Sequence, residues 1–319
     1  MCVMYDGMCE LSQLPHDYTK RMKKIGIHCK AFSPLTPFLS TYYNYRDHRK
    51  ILVIDGKVTF NGGVNLADEY INKIERFGHW KDTAIMLKGE AAKSFTLMFL
   101  QMWNISEKTP EFKKYLEEEK SENMSDLEHQ KKGQKAERGY VMPFGDCPLD
   151  DDKVGENVYM DILNRATDYV HIMTPYLILD GELQRAIEFA AQRGVEVAII
   201  LPGIPDKKAA YALAKSHYKS LLKAGVKLYE YTPGFVHAKV FVSDDKKGVV
   251  GTINLDYRSL YHHFECATYL YQVDCIKDIE ADFKDTLSKC REITKETIRN
   301  EKLYYKVVGG VMKFIAPLM

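Results

Sequence analysis

The sequence lacks the patterns that would assign it to several common classes of protein. It contains no run of 18 or more apolar residues, and Asp6 and Glu10 lie where a secretory signal would be apolar. Its 45 Lys and Arg residues nearly balance 44 Asp and Glu residues, for a net charge of +1. Nucleic-acid-binding proteins usually carry a basic excess. We therefore expect a chain that does not itself cross a membrane and has no nucleic-acid partner.

The cysteines also lack the spacing of a metal site. There are 7 of them, an odd number, and no two form a Cys-x-x-Cys pair. We interpret them as reduced thiols of a cytosolic protein. The sequence therefore predicts neither a cysteine metal centre nor any other metal or cofactor.

Apolar periodicity indicates the fold class. In the second half, the strand-like segments YVHIMTPYLI and VEVAIILPG alternate with the amphipathic segments GELQRAIEFAAQRG and KKAAYALAKSHYKSLLKAG. The first half has the same order, with CVMYDG as a strand, SQLPHDYTKRMKKIG as a helix and IHCKAFS as a strand. The alternation predicts an α/β fold with a largely parallel sheet, and its recurrence predicts a duplication.

Composition divides the chain into four segments. The 319 residues are 45% hydrophobic and 28% charged, which is enough for two domains or one large duplicated domain. We predict a first half at residues 1–103, a charged, solvated linker at 104–153, a second half at 154–300, and an apolar tail at 301–319. The tail has two interpretations, contact with a membrane surface or packing onto the domain.

Comparison of the halves predicts a missing element. CVMYDG corresponds to VAIILPG of the second half, so the first half has no counterpart of residues 159–194. Either the first half lost a strand and a helix, or the sequence is an N-terminally truncated piece of a longer protein. We expect truncation, and with it an exposed edge and poor solubility of the chain alone.

A histidine, a lysine and an aspartate recur at identical spacing, as His48, Lys50 and Asp55 and again as His237, Lys239 and Asp244. The 10 histidines of the chain would produce roughly 0.2 such matches by chance if acids and bases were scattered at random. Each set is also followed at the same offset by glycine, a small residue and asparagine: Gly62, Gly63 and Asn65, then Gly251, Thr252 and Asn254. Chance is a poor explanation of this pattern.

The repeated pattern predicts a phosphate site. Residues two apart on a strand share a face, so each histidine points the same way as its lysine, and the next strand can return an asparagine to that face. Two such sets, related by a pseudo-two-fold axis, would meet at the interface of the halves and hold a phosphodiester. One imidazole can then attack phosphorus while the other protonates the leaving oxygen, without a metal.

The paired HxKxxxxD motifs with trailing GGxN and GTxN resemble the phospholipase D superfamily. TPYLILDGEL, HRKILVIDG and YEYTPGFVHAKVFVSDD resemble its bacterial cardiolipin synthases. The resemblance implies a duplicated phospholipase D fold, in which two mixed β-sheet domains flanked by helices place the active site at their interface. It also implies a location at the cytoplasmic face of the cell membrane, through upstream segments absent from this chain.

The resemblance implies an activity and a role for each motif residue. The activity is transfer of a phosphatidyl group from one phosphatidylglycerol to another at an anionic membrane surface, with release of glycerol. His48 would form a phosphohistidine, and His237 would act as general acid and then as base. Phosphate oxygens would be bound by Lys50, Lys239, Asn65 and Asn254. Asp55 and Asp244 belong to the catalytic motif, but at five residues beyond the lysine they project to the opposite face, which favours a structural role at least as strongly.

An imidazole in this role needs a carboxylate on its other nitrogen. We assign Glu265 to His237 and Asp82 to His48, with Glu69 and Glu75 as nearby alternatives to Asp82. Gly63 departs from the serine that many superfamily members have, which removes one hydroxyl donor and places the symmetry of phosphate binding in question.

Three alternatives to the transferase stay open. The motifs do not distinguish phosphatidylglycerol from water or another alcohol as acceptor, so the protein could be a hydrolytic phospholipase D or another phosphatidyltransferase. A nuclease of the same superfamily is disfavoured by the charge balance. An inactive truncated remnant is the third alternative. The sequence leaves the oligomeric state open.

Overall fold

Strands and helices alternate through the chain as the periodicity predicts. The computed structural model describes residues 1–33, 45–116 and 139–316. The strands are β1 (Cys2–Asp6), β2 (His28–Phe32), β3 (Arg46–Asp47), β4 (Ile51–Ile54), β5 (Val58–Gly62), β6 (His79–Lys81), β7 (Ala84–Lys88), β8 (Tyr140–Asp146), β9 (Tyr169–Met173), β10 (Glu196–Pro202), β11 (Lys227–Tyr231), β12 (Gly234–Val236), β13 (Val240–Ser243), β14 (Lys247–Gly251), β15 (His263–Tyr271) and β16 (Cys290–Glu292).

The helices lie between these strands and after them. They are α1 (Cys9–Ser12), α2 (Tyr18–Lys24), α3 (Glu90–Asn104), α4 (Lys113–Leu116), α5 (Val154–Arg165), α6 (Gly181–Gln192), α7 (Lys208–Ala224), α8 (Tyr257–Tyr261), α9 (Cys275–Leu287), α10 (Lys295–Arg299) and α11 (Leu303–Ile315), with a 3₁₀ turn at Asp68–Ile71. Within the described ranges, no helix is long and apolar enough to cross a membrane.

A nine-stranded mixed sheet, in the order β16-β11-β10-β9-β13-β14-β15-β3 with β8 also paired to β15, dominates the second half. Only β9, β10 and β11 form a run of parallel neighbours, whereas β13, β14 and β15 are antiparallel. The expectation of a largely parallel sheet is therefore wrong. The reason is the short turn after Ser243, since a connection of a few residues joins only antiparallel strands.

Helices cover both faces of this sheet. The odd-numbered side chains of β10, such as Val197 and Ile199, pack with α5, α6 and α7, and even-numbered Ile200 packs with α9. Helix α6 begins where Asp180 accepts a hydrogen bond from Leu183 N at 2.7 Å, the usual role of an aspartate at a helix N-terminus. The continuous apolar run of β10 is thus explained by burial on both faces.

The described residues of the first half do not form a second mixed sheet. Its described strands are divided between a parallel pair, β1-β2, and a three-stranded antiparallel sheet, β4-β5-β7, while β3 joins the large sheet and β6 pairs with β12. The helix predicted for SQLPHDYTKRMKKIG also divides, into the short α1 and the longer α2. Pro15 lies between the two helices and cannot donate the backbone hydrogen bond that a continuous helix requires.

The segment predicted as a linker contains a strand of the large sheet. Tyr140–Asp146 forms β8 and pairs antiparallel with β15 over seven residues, from Tyr140↔Tyr271 to Asp146↔Glu265. The charged composition of the neighbouring residues concealed this short strand. Residues 117–138 of the predicted linker lie outside the described residues.

The apolar tail forms helix α11, which packs onto α7. A Cβ at Gly309 would lie 2.3 Å from the carbonyl oxygen of Ala212, so glycine allows the two helices to approach closely. The opposite face of α11 exposes apolar side chains, among them Val307, Val311 and Phe314. Packing onto the domain is therefore confirmed, and the exposed face leaves the membrane interpretation in place as a proposal.

Candidate active site

Two short strands cross between the halves and carry the motif histidines with them. Strand β3 of the first half pairs in parallel with β15 of the second, and β12 of the second pairs in parallel with β6 of the first. His48 follows β3 and His237 follows β12, so both HxK segments lie between strands. The spacing had suggested that each segment lies within a strand. The crossing brings the two motifs to the same interface.

His48 is held by a carboxylate of the second half. Its backbone N–H donates to the Phe264 carbonyl at 3.0 Å, which places the imidazole beside the next residue, Glu265. The Nδ1 atom lies 2.9 and 3.0 Å from the two carboxylate oxygens. The Glu265 side chain is fully buried, whereas that of His48 is 25% exposed.

His237 is held in the same way by the first half. Its backbone N–H donates to the Lys81 carbonyl at 2.7 Å, and its Nδ1 lies 2.8 Å from Oδ2 of the following residue, Asp82. The rings of Tyr70 and Trp80 pack against the imidazole, each with its centroid 5.2 Å away. This histidine is therefore more enclosed than His48.

The predicted partners of the two histidines are exchanged. Asp82 was assigned to His48 and Glu265 to His237, but each carboxylate binds the histidine of the other half. The physical reason is the strand crossing, because each motif segment runs beside a strand of the opposite half before it enters its own hairpin. Of the alternatives to Asp82, Glu75 is exposed and Glu69 is half-buried.

Both carboxylates occupy the same place in their three-stranded units. In each half, the last glycine of the second hairpin strand pairs with an alanine of the third strand, and the carboxylate lies two residues before that alanine. The pairs are Gly62 with Ala84 and Gly251 with Ala267. Residues two apart on a strand share a face, so Asp82 and Glu265 are presented in equivalent ways.

The halves differ at the residue after that glycine. Thr252 donates its hydroxyl proton to Oε2 of Glu265, so this hydroxyl serves the carboxylate. At Gly63 a Cβ would lie 2.1 Å from Oδ1 of Asp82, and Asp82 instead accepts a hydrogen bond from Thr83 N at 2.9 Å. Glycine at position 63 is explained by this close approach.

The motif lysines are bound identically. Lys50 Nζ donates to the carbonyl oxygen of His48 at 2.6 Å, and Lys239 Nζ donates to that of His237 at 2.5 Å. Burial, followed by the repulsion of Lys50, lowers the pKa of Lys239 to about 7, and burial also lowers the pKa of Lys50. The two ammonium groups therefore share a pocket that an anion would stabilise.

Burial makes both imidazoles neutral at pH 7. It lowers the pKa of His48 to about 3, with Glu265 opposing and Lys50 reinforcing the effect. It lowers the pKa of His237 to about 4, reinforced by Lys239 and opposed by Asp82. Burial alone would raise the pKa of Glu265, but its interactions with His48 and His263 outweigh burial and lower that pKa. Each Nδ1 thus faces an ionised carboxylate and carries the proton, which leaves Nε2 with a lone pair.

The two asparagines have different environments. Asn65 donates from Nδ2 to the Tyr70 hydroxyl at 2.6 Å. Asn254 is 5% exposed, and within the described ranges its buried Oδ1 has no hydrogen-bond partner. Buried polar atoms are usually paired, so the Oδ1 acceptor of Asn254 is open to a donor group of a ligand.

The motif aspartates have a structural explanation. Asp55 and Asp244 lie in the hairpin turns with φ angles of 51° and 55°, in the left-handed region that aspartate tolerates. Asp55 is exposed. The Asp244 carboxylate accepts hydrogen bonds from the backbone N–H groups of Thr167, Asp168 and Tyr169 at 2.9 to 3.0 Å. Both positions favour the structural role of these aspartates over the catalytic one.

The sequence reasoning missed His263. It begins β15 two residues before Glu265, on the same face, and its Nδ1 lies 3.4 Å from Oε1 of that carboxylate. Its ring centroid is 5.4 Å from that of His48. The period-two rule, applied backwards from Glu265 along the segment HHFECATY, would have identified it.

A solved structure has a similar fold. The crystal structure of phosphatidylserine synthase from Haemophilus influenzae Rd KW20 matches with a TM-score of 0.60 at 15% identity, over 86% of this chain and 69% of that one. At this identity the match concerns the fold alone. It agrees with an α/β architecture.

Sequence comparisons identify the family. Residues 159–287 match the family model described as cardiolipin synthase, PLD-like domain. Cardiolipin synthase of Geobacillus sp. (strain WCH70) is 36% identical over 96% of this chain and 59% of its own length. An uncharacterized protein of Streptococcus mutans serotype c is 65% identical over 99% of this chain and 66% of its own length. The chain thus spans about three fifths to two thirds of the relatives that it matches. It belongs to the phospholipase D superfamily.

Proposed function

We propose that the protein transfers a phosphatidyl group between two phosphatidylglycerol molecules, giving cardiolipin and glycerol through a phosphohistidine. One observation carries the proposal. Two imidazoles meet at one interface, each with Nδ1 on a buried carboxylate of the opposite half, and within the described residues neither Nε2 has a hydrogen-bond partner. Paired imidazoles of this kind suit a displacement at phosphorus in two steps.

In the first step, Nε2 of His48 attacks the phosphorus of phosphatidylglycerol. The bond from phosphorus to the glycerol oxygen breaks, and His237 gives its proton to that oxygen, so glycerol leaves. His48 is the better nucleophile because it is the more accessible imidazole, with 25% of its side chain exposed against 9% for His237. The phosphatidyl group is then bonded to His48.

In the second step, His237 removes the proton from a hydroxyl of a second phosphatidylglycerol. The resulting oxygen attacks phosphorus and the bond to Nε2 of His48 breaks, which releases cardiolipin and regenerates both imidazoles. His237 must hold a proton in the first step, although its pKa is about 4 without substrate. A bound phosphodiester anion offsets the lysine charges and raises that pKa.

The remaining site residues bind the phosphate. The ammonium groups of Lys50 and Lys239 neutralise its charge, and Asn254, with Asn65, donates to its oxygens. We also infer that the equivalent carboxylate positions in the two halves reflect a duplicated fold. Its halves are residues 1–103 and 154–300, and β8, which precedes the second range, is added to the second half. Transfer needs neither a metal nor a cofactor in this mechanism.

The relatives support this substrate class, because the Geobacillus protein that is 36% identical is named cardiolipin synthase. We propose that the protein works at an anionic membrane surface on the cytoplasmic side. Helix α11 supports this, because its exposed apolar face is accompanied by Lys302, Lys306 and Lys313, all exposed. A helix with an apolar face and basic residues suits the interface of an anionic bilayer.

Lipid mass spectrometry after incubation with phosphatidylglycerol vesicles tests the proposal. Cardiolipin and glycerol are expected from the wild-type chain and not from His48→Ala. Phosphatidic acid alone would show hydrolysis instead. With a nitrophenyl phosphodiester, His237→Ala should release nitrophenol in a burst and accumulate phosphohistidine, whereas His48→Ala should do neither. Absence of turnover on lipid, nitrophenyl and single-stranded DNA substrates alike would refute an enzymatic role for the chain.

A further inference from the structure

Three side chains at the interface present donor atoms that suit a metal ion. One donor atom from each of His48, His263 and Glu265 lies within 4.8 Å of the other two. Oε1 of Glu265 is 2.9 Å from Nδ1 of His48 and 3.4 Å from Nδ1 of His263. Tetrahedral Zn²⁺, with bonds of about 2.0–2.2 Å, separates its ligands by about 3.3 Å. The separation of 3.4 Å already has this size, and the one of 2.9 Å must widen by about 0.4 Å.

His263 has no other evident use in the fold. Its Nδ1 is buried and, among the described residues, makes no well-aligned hydrogen bond, although Oε1 of Glu265 lies 3.4 Å away. Oε2 of Glu265 accepts the hydroxyl of Thr252, which leaves Oε1 directed between the two imidazoles. A buried nitrogen without a well-aligned partner is costly unless a ligand satisfies it.

We propose that His48, His263 and Glu265 form an inhibitory Zn²⁺ site, with a water or phosphate oxygen as the fourth ligand. Two imidazoles and one carboxylate favour Zn²⁺ over Mg²⁺ or Ca²⁺, which prefer oxygen ligands. The inhibitory effect, though not the binding, rests on the proposed role of His48 as nucleophile.

Inhibition follows from the position of one proton. Coordination at Nδ1 of His48 breaks its hydrogen bond with Glu265 and shifts the one ring proton, by exchange through water, from Nδ1 to Nε2. A neutral imidazole bound to a metal through Nδ1 keeps its proton on Nε2. Nε2 then has no lone pair with which to attack phosphorus, so the metal-bound enzyme cannot form the phosphohistidine.

Calorimetry on the metal-free chain tests the binding. Zn²⁺ should bind at one ion per chain, Mg²⁺ should not bind, and His263→Gln should weaken Zn²⁺ at least about tenfold by removing one of three protein ligands. His16→Gln, which removes an exposed histidine, is the matched control and should bind as the wild type does. Equal Zn²⁺ affinity in both variants would overturn the site.

A Co²⁺ spectrum of the wild-type chain is independent of whether the variant folds. Tetrahedral nitrogen and oxygen ligands should give visible absorption without the near-ultraviolet band of a cobalt–thiolate bond, and such a band would place the metal on cysteine and overturn the site. In the nitrophenyl assay, Zn²⁺ should suppress the burst of the wild type, and EDTA should restore it. A full burst with the site occupied would overturn inhibition. A chain without any burst refutes the proposed function, and calorimetry still decides the binding.

Discussion

Replacing each buried carboxylate with its amide tests which histidine it positions. Glu265→Gln and Asp82→Asn keep the size of the side chain and remove its charge. In the structure Glu265 holds His48 and Asp82 holds His237. If His48 is the nucleophile, Glu265→Gln should impair formation of the phosphohistidine on every substrate, and Asp82→Asn should impair only the steps that need proton transfer.

The magnitude follows from how completely each carboxylate is enclosed. Glu265 is fully buried and 2.9 to 3.0 Å from Nδ1 of His48, so water cannot replace the lost charge, and a glutamine amide would turn a donor toward Nδ1. The same exchange in a serine-protease triad lowers kcat by about 10⁴-fold. We expect a loss of about 10³-fold or more for Glu265→Gln, equivalent to about 4 kcal/mol of transition-state stabilisation.

Rapid-quench measurement of the nitrophenol burst separates the two carboxylates, since nitrophenol leaves without a proton. Asp82→Asn should keep its burst rate within about tenfold of the wild type, while Glu265→Gln should lose the burst. Glu280→Gln is the matched control, because Glu280 is also a buried partner of a histidine, 2.9 Å from Nδ1 of His171, but belongs to neither motif. A burst retained by Glu265→Gln and lost by Asp82→Asn would refute the assignment of roles.

Three further predictions concern metal, pH and the membrane. Transfer activity should survive EDTA, and loss of activity with rescue by a divalent ion would contradict the mechanism. Burial and the neighbouring Asp180 raise the pKa of Glu156 from 4.5 to about 7, so its contribution to stability is present below pH 4.5 and lost as pH rises through about 7. From pH 5 to pH 8, the wild type should therefore lose about 1–3 kcal/mol more unfolding free energy than Glu156→Gln, as measured by urea titration. An equal pH dependence in the two proteins would disprove this. Val311→Asp with Phe314→Asp should weaken sedimentation with phosphatidylglycerol vesicles by ~tenfold or more, whereas Ile105→Asp, at an exposed site outside α11, should not.

Local spacing was sufficient to find the histidines, the lysines and the hairpins that carry them. His237 and Lys239 are close in sequence, so their proximity requires no knowledge of the fold. The pairing of carboxylates could not be found in this way, because Glu265 reaches His48 only through a strand pair that joins residues more than 200 positions apart. Assigning each acid to the histidine of its own half was the economical choice, and the crossing of β3 and β12 reversed it.

Other differences have equally specific causes. β8 was not predicted because its seven residues adjoin a long charged segment, whose composition led us to interpret the whole segment as a linker. The sheet was predicted as largely parallel because helices of similar length alternate with the strands. That alternation describes β9 to β11 correctly and stops at the second motif, where a tight turn at Asp244 requires antiparallel strands.

Because of the strand crossing, the geometry of the active site depends on how the two halves dock. The register of β3 against β15 rests on only two residue pairs, Arg46 with His263 and Asp47 with Phe264. A shift of β3 by one residue would move the following His48 imidazole away from Glu265, which β8 and β14 hold in place, and would inactivate His48 without altering either residue. A bound partner, a distorted bilayer or a distant substitution that loosens the pairing of β3 with β15 would therefore reduce catalysis before it unfolds either half.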